Sequence, residues 1–270
     1  MAEQTAEGSW SPLALLGGVF WLVGAAGLVW SGRCVVNVLL VLTGLSINVH
    51  TFELAAAAAL LLALGIVLWN WNRSVAGPLQ RCVGGGCGIG MLLGGALICW
   101  TMLETISSFT IMANSASAPK VSELEAGIAL QEPWLMAGHA LWCLTGIAAV
   151  LAVVMLKWRT IAVAQSDWQR VLGIGIVLFL LLFAGGWIAI LLHARALDHL
   201  IDNGGNMPVK PAELASHLMS IFQWGLINGL ASAVAGALLV LQSMLTAGPS
   251  PTNADDFDDD LPPKRVHDAD

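Results

Sequence analysis

The sequence predicts an all-α, polytopic membrane protein with seven transmembrane helices, arranged as one leading helix followed by three hairpins. Three observations carry this. Hydrophobic residues make up 57% of the chain and charged residues only 11%, against about 25% charged in a soluble domain. The mean hydropathy is +0.78, and several apolar runs approach the roughly 20 residues that cross hydrocarbon as a helix. Those runs are continuous instead of short and alternating, which excludes a transmembrane barrel.

Segment one runs from about Trp10 to Trp30, with Trp10 and Trp30 suited to the two interfaces. The residues before it lack the positive region of a secretory signal, so this run is expected to be a retained helix. Ser31-Gly32-Arg33 reads as a tight connection to segment two, Cys34 to about His50. At about 25 Å that segment sits at the lower limit for a span, and re-entrance is the alternative. Segment three, about Glu53 to Trp71, includes the alanine run Ala55–Ala59.

Asn72 to Gly86 reads as a polar, glycine- and proline-containing loop. Segment four, Cys87–Ala113, is the most informative stretch. It carries Gly88, Gly90, Gly94 and Gly95 at one end and Glu104 toward the other. Residues 114–132 form a loop in which Val121, Leu124 and Ile128 are spaced for a short surface helix. Segment five covers Pro133–Leu156, and segment six runs from Val171 to as far as Asp202 before Asn203-Gly204-Gly205. As one helix, segment six is about 48 Å long, so its last turns stand outside the hydrocarbon. Segment seven covers Leu218–Leu245. The organisation is therefore an outer tail (1–9), a membrane domain (10–247) and a disordered acidic tail (248–270).

Arg73, Arg81, Lys157, Arg159 and Arg170 fall in the connections after segments three and five. By the positive-inside rule that face is cytoplasmic. Seven spans then place the N-terminus outside and the acidic tail inside; if segment two does not cross, the N-terminus moves inside. The expected location is a plasma membrane of the bacterial inner-membrane kind.

A short pattern recurs before the return helix of each hairpin: His50-Thr-Phe-Glu53-Leu54, Lys120-Val-Ser-Glu123-Leu124 and Lys210-Pro-Ala-Glu213-Leu214. It is read either as a threefold hairpin repeat or as the ordinary preference for glutamate in a helix's first turn.

Glu104 is the only carboxylate inside an apolar run. Such a group suggests an ion path, a proton relay or a buried partner; the plainer reading is a hydrogen bond to Thr101, Ser107 or Ser108. His50, His139, His193 and His217 lie toward the outer ends of their helices. Imidazoles facing one another between helices ligate haem iron or copper, although the sequence requires neither cofactor. Asp198, His199 and Asp202 share a helical face, which is read as solvated. Cys82 and Cys87 enclose Val-Gly-Gly-Gly, read as a flexible connection; five cysteines at irregular spacing make no disulfide framework. Gly90, Gly94, Gly95, Gly173, Gly175, Gly185, Gly186, Gly225 and Gly229 are packing signals for close helix approach.

Much of the net charge of −7 sits at Asp255, Asp256, Asp258, Asp259 and Asp260, an acidic segment suited to contacting protein partners. Scattered Lys and Arg exclude a nucleic-acid surface. The absence of hydrolase and protease motifs leans away from an enzyme. The leading expectation is a non-catalytic subunit or scaffold of a membrane complex, surrounded by lipid and by protein partners or copies of itself. The alternatives are a small-solute or proton transporter using Glu104, and a haem- or copper-binding redox protein using the outer histidines.

Overall fold

A computed structural model describes residues 12–37, 48–71, 78–113, 121–155, 167–203 and 211–245. Apart from Asn48 they form six helices: α1 (Pro12–Asn37), α2 (Val49–Trp71), α3 (Pro78–Ala113), α4 (Val121–Met155), α5 (Asp167–Asn203) and α6 (Pro211–Leu245). Each contains a stretch long and apolar enough to cross a membrane. Helices are the local answer because hydrocarbon offers no partner to a bare N–H or C=O, and a helix satisfies these groups within one segment.

The seven expected spans become six among the described residues. α1 does not stop at Ser31-Gly32-Arg33 but continues to Asn37. Ser31 fits inside the helix because its hydroxyl donates to the Gly27 carbonyl at 2.6 Å, and Gly32 fits because it packs on the ring of His139. The expected second span is thus divided between the end of α1 and the start of α2, with residues 38–47 outside the described residues. Two expected loops are also helical. α3 already begins at Pro78, so Gly84–Gly86 belong to a helix, with Gly84 buried, and form no flexible connection. The surface helix expected at Val121–Ile128 is continuous with the fifth segment through Pro133, which removes one ladder hydrogen bond without ending the helix. α5 is a single long helix as the sequence predicts, beginning at Asp167 instead of Val171 and ending at Asn203.

Neighbouring helices run antiparallel. Gly17 faces Trp69 while Gly24 faces Leu62; Gly88 faces Gly236 while Gly95 faces Gly229; Gly18 faces Val150 while Gly32 faces His139. The helices close a ring in the order α1–α2–α5–α6–α3–α4, and α1 and α6 touch across its middle. Each consecutive pair (α1–α2, α3–α4, α5–α6) is a hairpin, and the return helix of every hairpin packs on the outgoing helix of the next: α2 on α5, α6 on α3, α4 on α1. This is a cyclic arrangement of three hairpins, with Glu53 and Glu213 each near the start of a return helix.

Lipid tails are as apolar as leucine, so close packing holds such a bundle together. Gly17 and Gly24, Gly88 and Gly95, and Gly229 and Gly236 stand seven residues apart, two turns along one stripe. A Cβ at Gly65 would lie 2.2 Å from the backbone nitrogen of Trp21, and one at Gly24 2.4 Å from that of Leu62. The seams at Gly90, Gly94, Gly95, Gly225 and Gly229 are equally crowded, whereas a Cβ at Gly173 or Gly185 would meet nothing within 4 Å.

Candidate functional site

Near the midpoint of the bundle, α3–α6 converge on a narrow cavity lined by Ile98, Met102, Leu135, His139, Trp142, Phe183, Trp187, Ile190, Gly225 and Asn228, with room for about one water-sized molecule. Its walls are rings and aliphatic chains. Its polar content comes from α4, α5 and α6.

His139 is 1% exposed and Asn228 2% exposed. Both polar atoms of the Asn228 amide and the Trp187 indole nitrogen find no hydrogen-bond partner among the described residues; the His139 imidazole has the backbone of Leu135, one turn back, as a weak partner. Trp142 differs, since its indole N–H donates to the Met91 carbonyl at 3.3 Å. Aromatic contacts fix the imidazole: it stands edge-on to Trp142 (5.2 Å, 89°) and tilted against Trp187 (6.4 Å, 50°). Trp142 is in turn edge-on to Phe183 at 5.4 Å. Gly32 closes the remaining side, where a Cβ would come within 3.0 Å of Nδ1. A buried polar group left unpaired costs about 1–3 kcal/mol, so the Asn228 amide and the Trp187 indole, lining one cavity with His139, make this the candidate site.

Chemically the three groups complement one another. Neutral imidazole donates from one nitrogen and accepts at the other, the amide does both, and the indole only donates. Together they can hold a small hydrogen-bonding molecule, or hand on a proton through one.

The four histidines expected near one end are distributed over three places. His139 is in the cavity wall. His50 is exposed at the start of α2, with Nδ1 3.1 Å from Glu53 Oε2, while Arg195 of α5 donates to Glu53 Oε1. His193 of α5 and His217 of α6 meet directly, Nδ1 to Nδ1 at 3.1 Å.

Glu104 is half-buried in the C-terminal half of α3 and does not line the cavity. The hydroxyls of Thr101 and Thr105 serve the helix backbone, donating to Leu97 and Thr101 carbonyls at 2.8 Å each. Asp198, His199 and Asp202 gather no metal-binding group; no three His, Cys, Asp or Glu do so among the described residues. Cys82 is exposed and Cys87 buried, with the Cys87 thiol donating to the Thr145 carbonyl of α4 at 3.6 Å. The acidic tail, Asp255–Asp260, lies outside the described residues.

Asn228 and Trp187 escaped the sequence reading. The available signal was an amide between Gly225 and Gly229 in the middle of an apolar run. No protein-family model matches the chain, and no curated protein or solved structure is significantly similar to it.

Proposed function

We propose that this protein moves a proton or a small polar solute through the interior of its six-helix bundle, by way of His139, Asn228 and Trp187. One observation supports the reading: three buried side chains that can hydrogen-bond, His139, Asn228 and Trp187, line one narrow cavity at mid-height of the bundle. The narrowness of the space favours a proton carried through water, or a solute of a few heavy atoms. The connections after α2 and α4, and the first turns of α3 and α5, carry Arg73, Arg81, Lys157, Arg159 and Arg170. The positive-inside rule makes that end cytoplasmic, in a plasma membrane of the bacterial inner-membrane kind.

The test is flux of protons and of small neutral solutes into liposomes holding the purified protein. His139→Gln and Asn228→Leu should each lower flux tenfold or more while leaving helix content unchanged. Flux that survives both changes removes the interior site from the mechanism, and Glu104→Gln then asks whether the path follows the outer half of α3.

A second reading, a subunit of a larger membrane complex, draws on α5. Gly185 faces outward among exposed Leu181, Leu182, Ile188 and Leu192, with nothing within 4 Å of a Cβ placed there. Small residues of this kind admit a neighbouring helix. Gly185→Trp, or deletion of residues 249–270, should then dissolve a co-purifying assembly; a single lone species before and after either change rules this out.

A further inference from the structure

We propose that His193 and His217 together bind a divalent transition-metal ion of the zinc or copper class at the rim of the bundle, through their two Nδ1 atoms. The pair stands apart from the interior site: His217 precedes Asn228 by three turns of α6, about 16 Å.

The geometry begins with the helices. α5 and α6 are adjacent antiparallel members of the ring, so each imidazole is held by its own rigid backbone. The two rings face across the seam with centroids 5.3 Å apart and planes at 55°, and the nitrogens nearest the backbone approach to 3.1 Å. Two Nδ1 lone pairs at that distance repel unless a proton or a metal cation lies between them. A metal ion bonded to imidazole nitrogen at 2.0–2.1 Å separates two such nitrogens by about 2.9 Å at a right angle and about 3.3 Å at a tetrahedral one. The observed separation falls inside that window.

Position and donor type narrow the ligand. Both histidines are part-buried, in the last third of α5 and the first two turns of α6, at the end of the bundle where Arg195, Asp198 and Asp202 follow on α5, so the ion would enter from that rim. The Arg195 guanidinium, two residues from His193, is paired with Glu53 of α2. Imidazole favours zinc, copper and nickel over magnesium and calcium, which take oxygen donors. No third His, Cys, Asp or Glu joins the pair among the described residues. The ion would therefore keep open positions for water, as exchangeable and catalytic sites do and closed structural sites do not.

The experiment is titration of the full-length, untagged, metal-stripped protein in detergent with zinc and then with copper(II). One equivalent should bind, and His193→Ala and His217→Ala should each weaken it tenfold or more. His50→Ala and His267→Ala should leave it unchanged. Copper(II) electron paramagnetic resonance on the unaltered protein guards against a folding defect in the variants, and should show coupling to two imidazole nitrogens. No saturable binding, equal affinity in the His193 and His217 variants, or a copper signal without nitrogen coupling would each overturn the proposal and leave a proton-bridged pair. Because His139 and Asn228 take no part, loss of flux with intact metal binding, or the reverse, separates this site from the interior one.

Discussion

Asn228 of α6 is seated directly on Gly186 of α5: a methyl group at Gly186 would come within 1.9 Å of the amide oxygen. The absence of a side chain at Gly186 thereby leaves the amide its place between the two helices. Gly186→Ala should destabilise the bundle by about 1–3 kcal/mol, the usual range for overpacking. Because the clash is with a side chain, Asn228→Ala should relieve part of it. Thermal unfolding of the two single variants and the double variant in detergent measures this coupling. Strict additivity would show that the residues do not meet.

The glycine seams make a sharper contrast. At Gly65 the obstruction is the Trp21 backbone, next to the edge-on contact of Trp21 with Trp69 (5.7 Å, 83°), and backbone cannot rotate away. Gly65→Ala and Gly24→Ala should therefore lower the melting temperature clearly, with a loss of at least about 1–3 kcal/mol. Gly173→Ala and Gly185→Ala meet open space and should be neutral or stabilising by up to about 1 kcal/mol through helix propensity. A clear loss at Gly185 would point to a helix packed there in the membrane.

Much of this architecture is legible in the sequence because hydropathy answers directly to hydrocarbon. The apolar runs place the six helices together with a seventh span at 34–50 that the described residues do not show, and most of the glycines singled out, though not Gly173 or Gly185, mark stripes that approach closely. The helix ends are harder to read. Ser31-Gly32 and Gly84–Gly86 look like breaks by propensity in water, yet here Ser31 donates within its helix, Gly32 packs on His139, and Gly84–Gly86 stay helical although a Cβ at Gly86 would meet nothing within 4 Å. The pairing of His193 with His217, and the gathering of His139, Asn228 and Trp187, depend on which helices are neighbours in the ring. Spacing along one helix carries no trace of that. Glu104 drew attention by charge alone, while the less conspicuous Asn228 reaches the interior.

The Glu53–Arg195 ion pair joins α2 to α5 at the rim, with side chains 38% and 53% exposed. Water and salt screen such a pair, so its contribution is small. Glu53→Gln and Arg195→Gln should each shift the melting temperature only slightly at low ionic strength. The difference from the unaltered protein should vanish in high salt. A large, salt-independent loss would mean that the pair is shielded from water in the membrane.

Six alternating helices return the chain to the face from which it started, so Pro12 and Leu245 lie at the same end of the bundle. Cys82, exposed in the first turns of α3, marks that end. In a variant retaining only this cysteine, a membrane-impermeant maleimide should label inverted vesicles and spare intact cells, as the proposed cytoplasmic placement of the arginine- and lysine-bearing end requires. Reporter tags before residue 12 and after residue 245 should both be digested from the side on which Cys82 is labelled. Tags reporting opposite sides would require an odd number of crossings, returning residues 34–50 to the membrane as a seventh span. The hairpin arrangement argues for the even count: α1 and α2 pack antiparallel from Gly17–Trp69 to Gly27–Ala58. Asn37 and Val49 therefore stand at one end of the bundle, the arrangement that an even count needs.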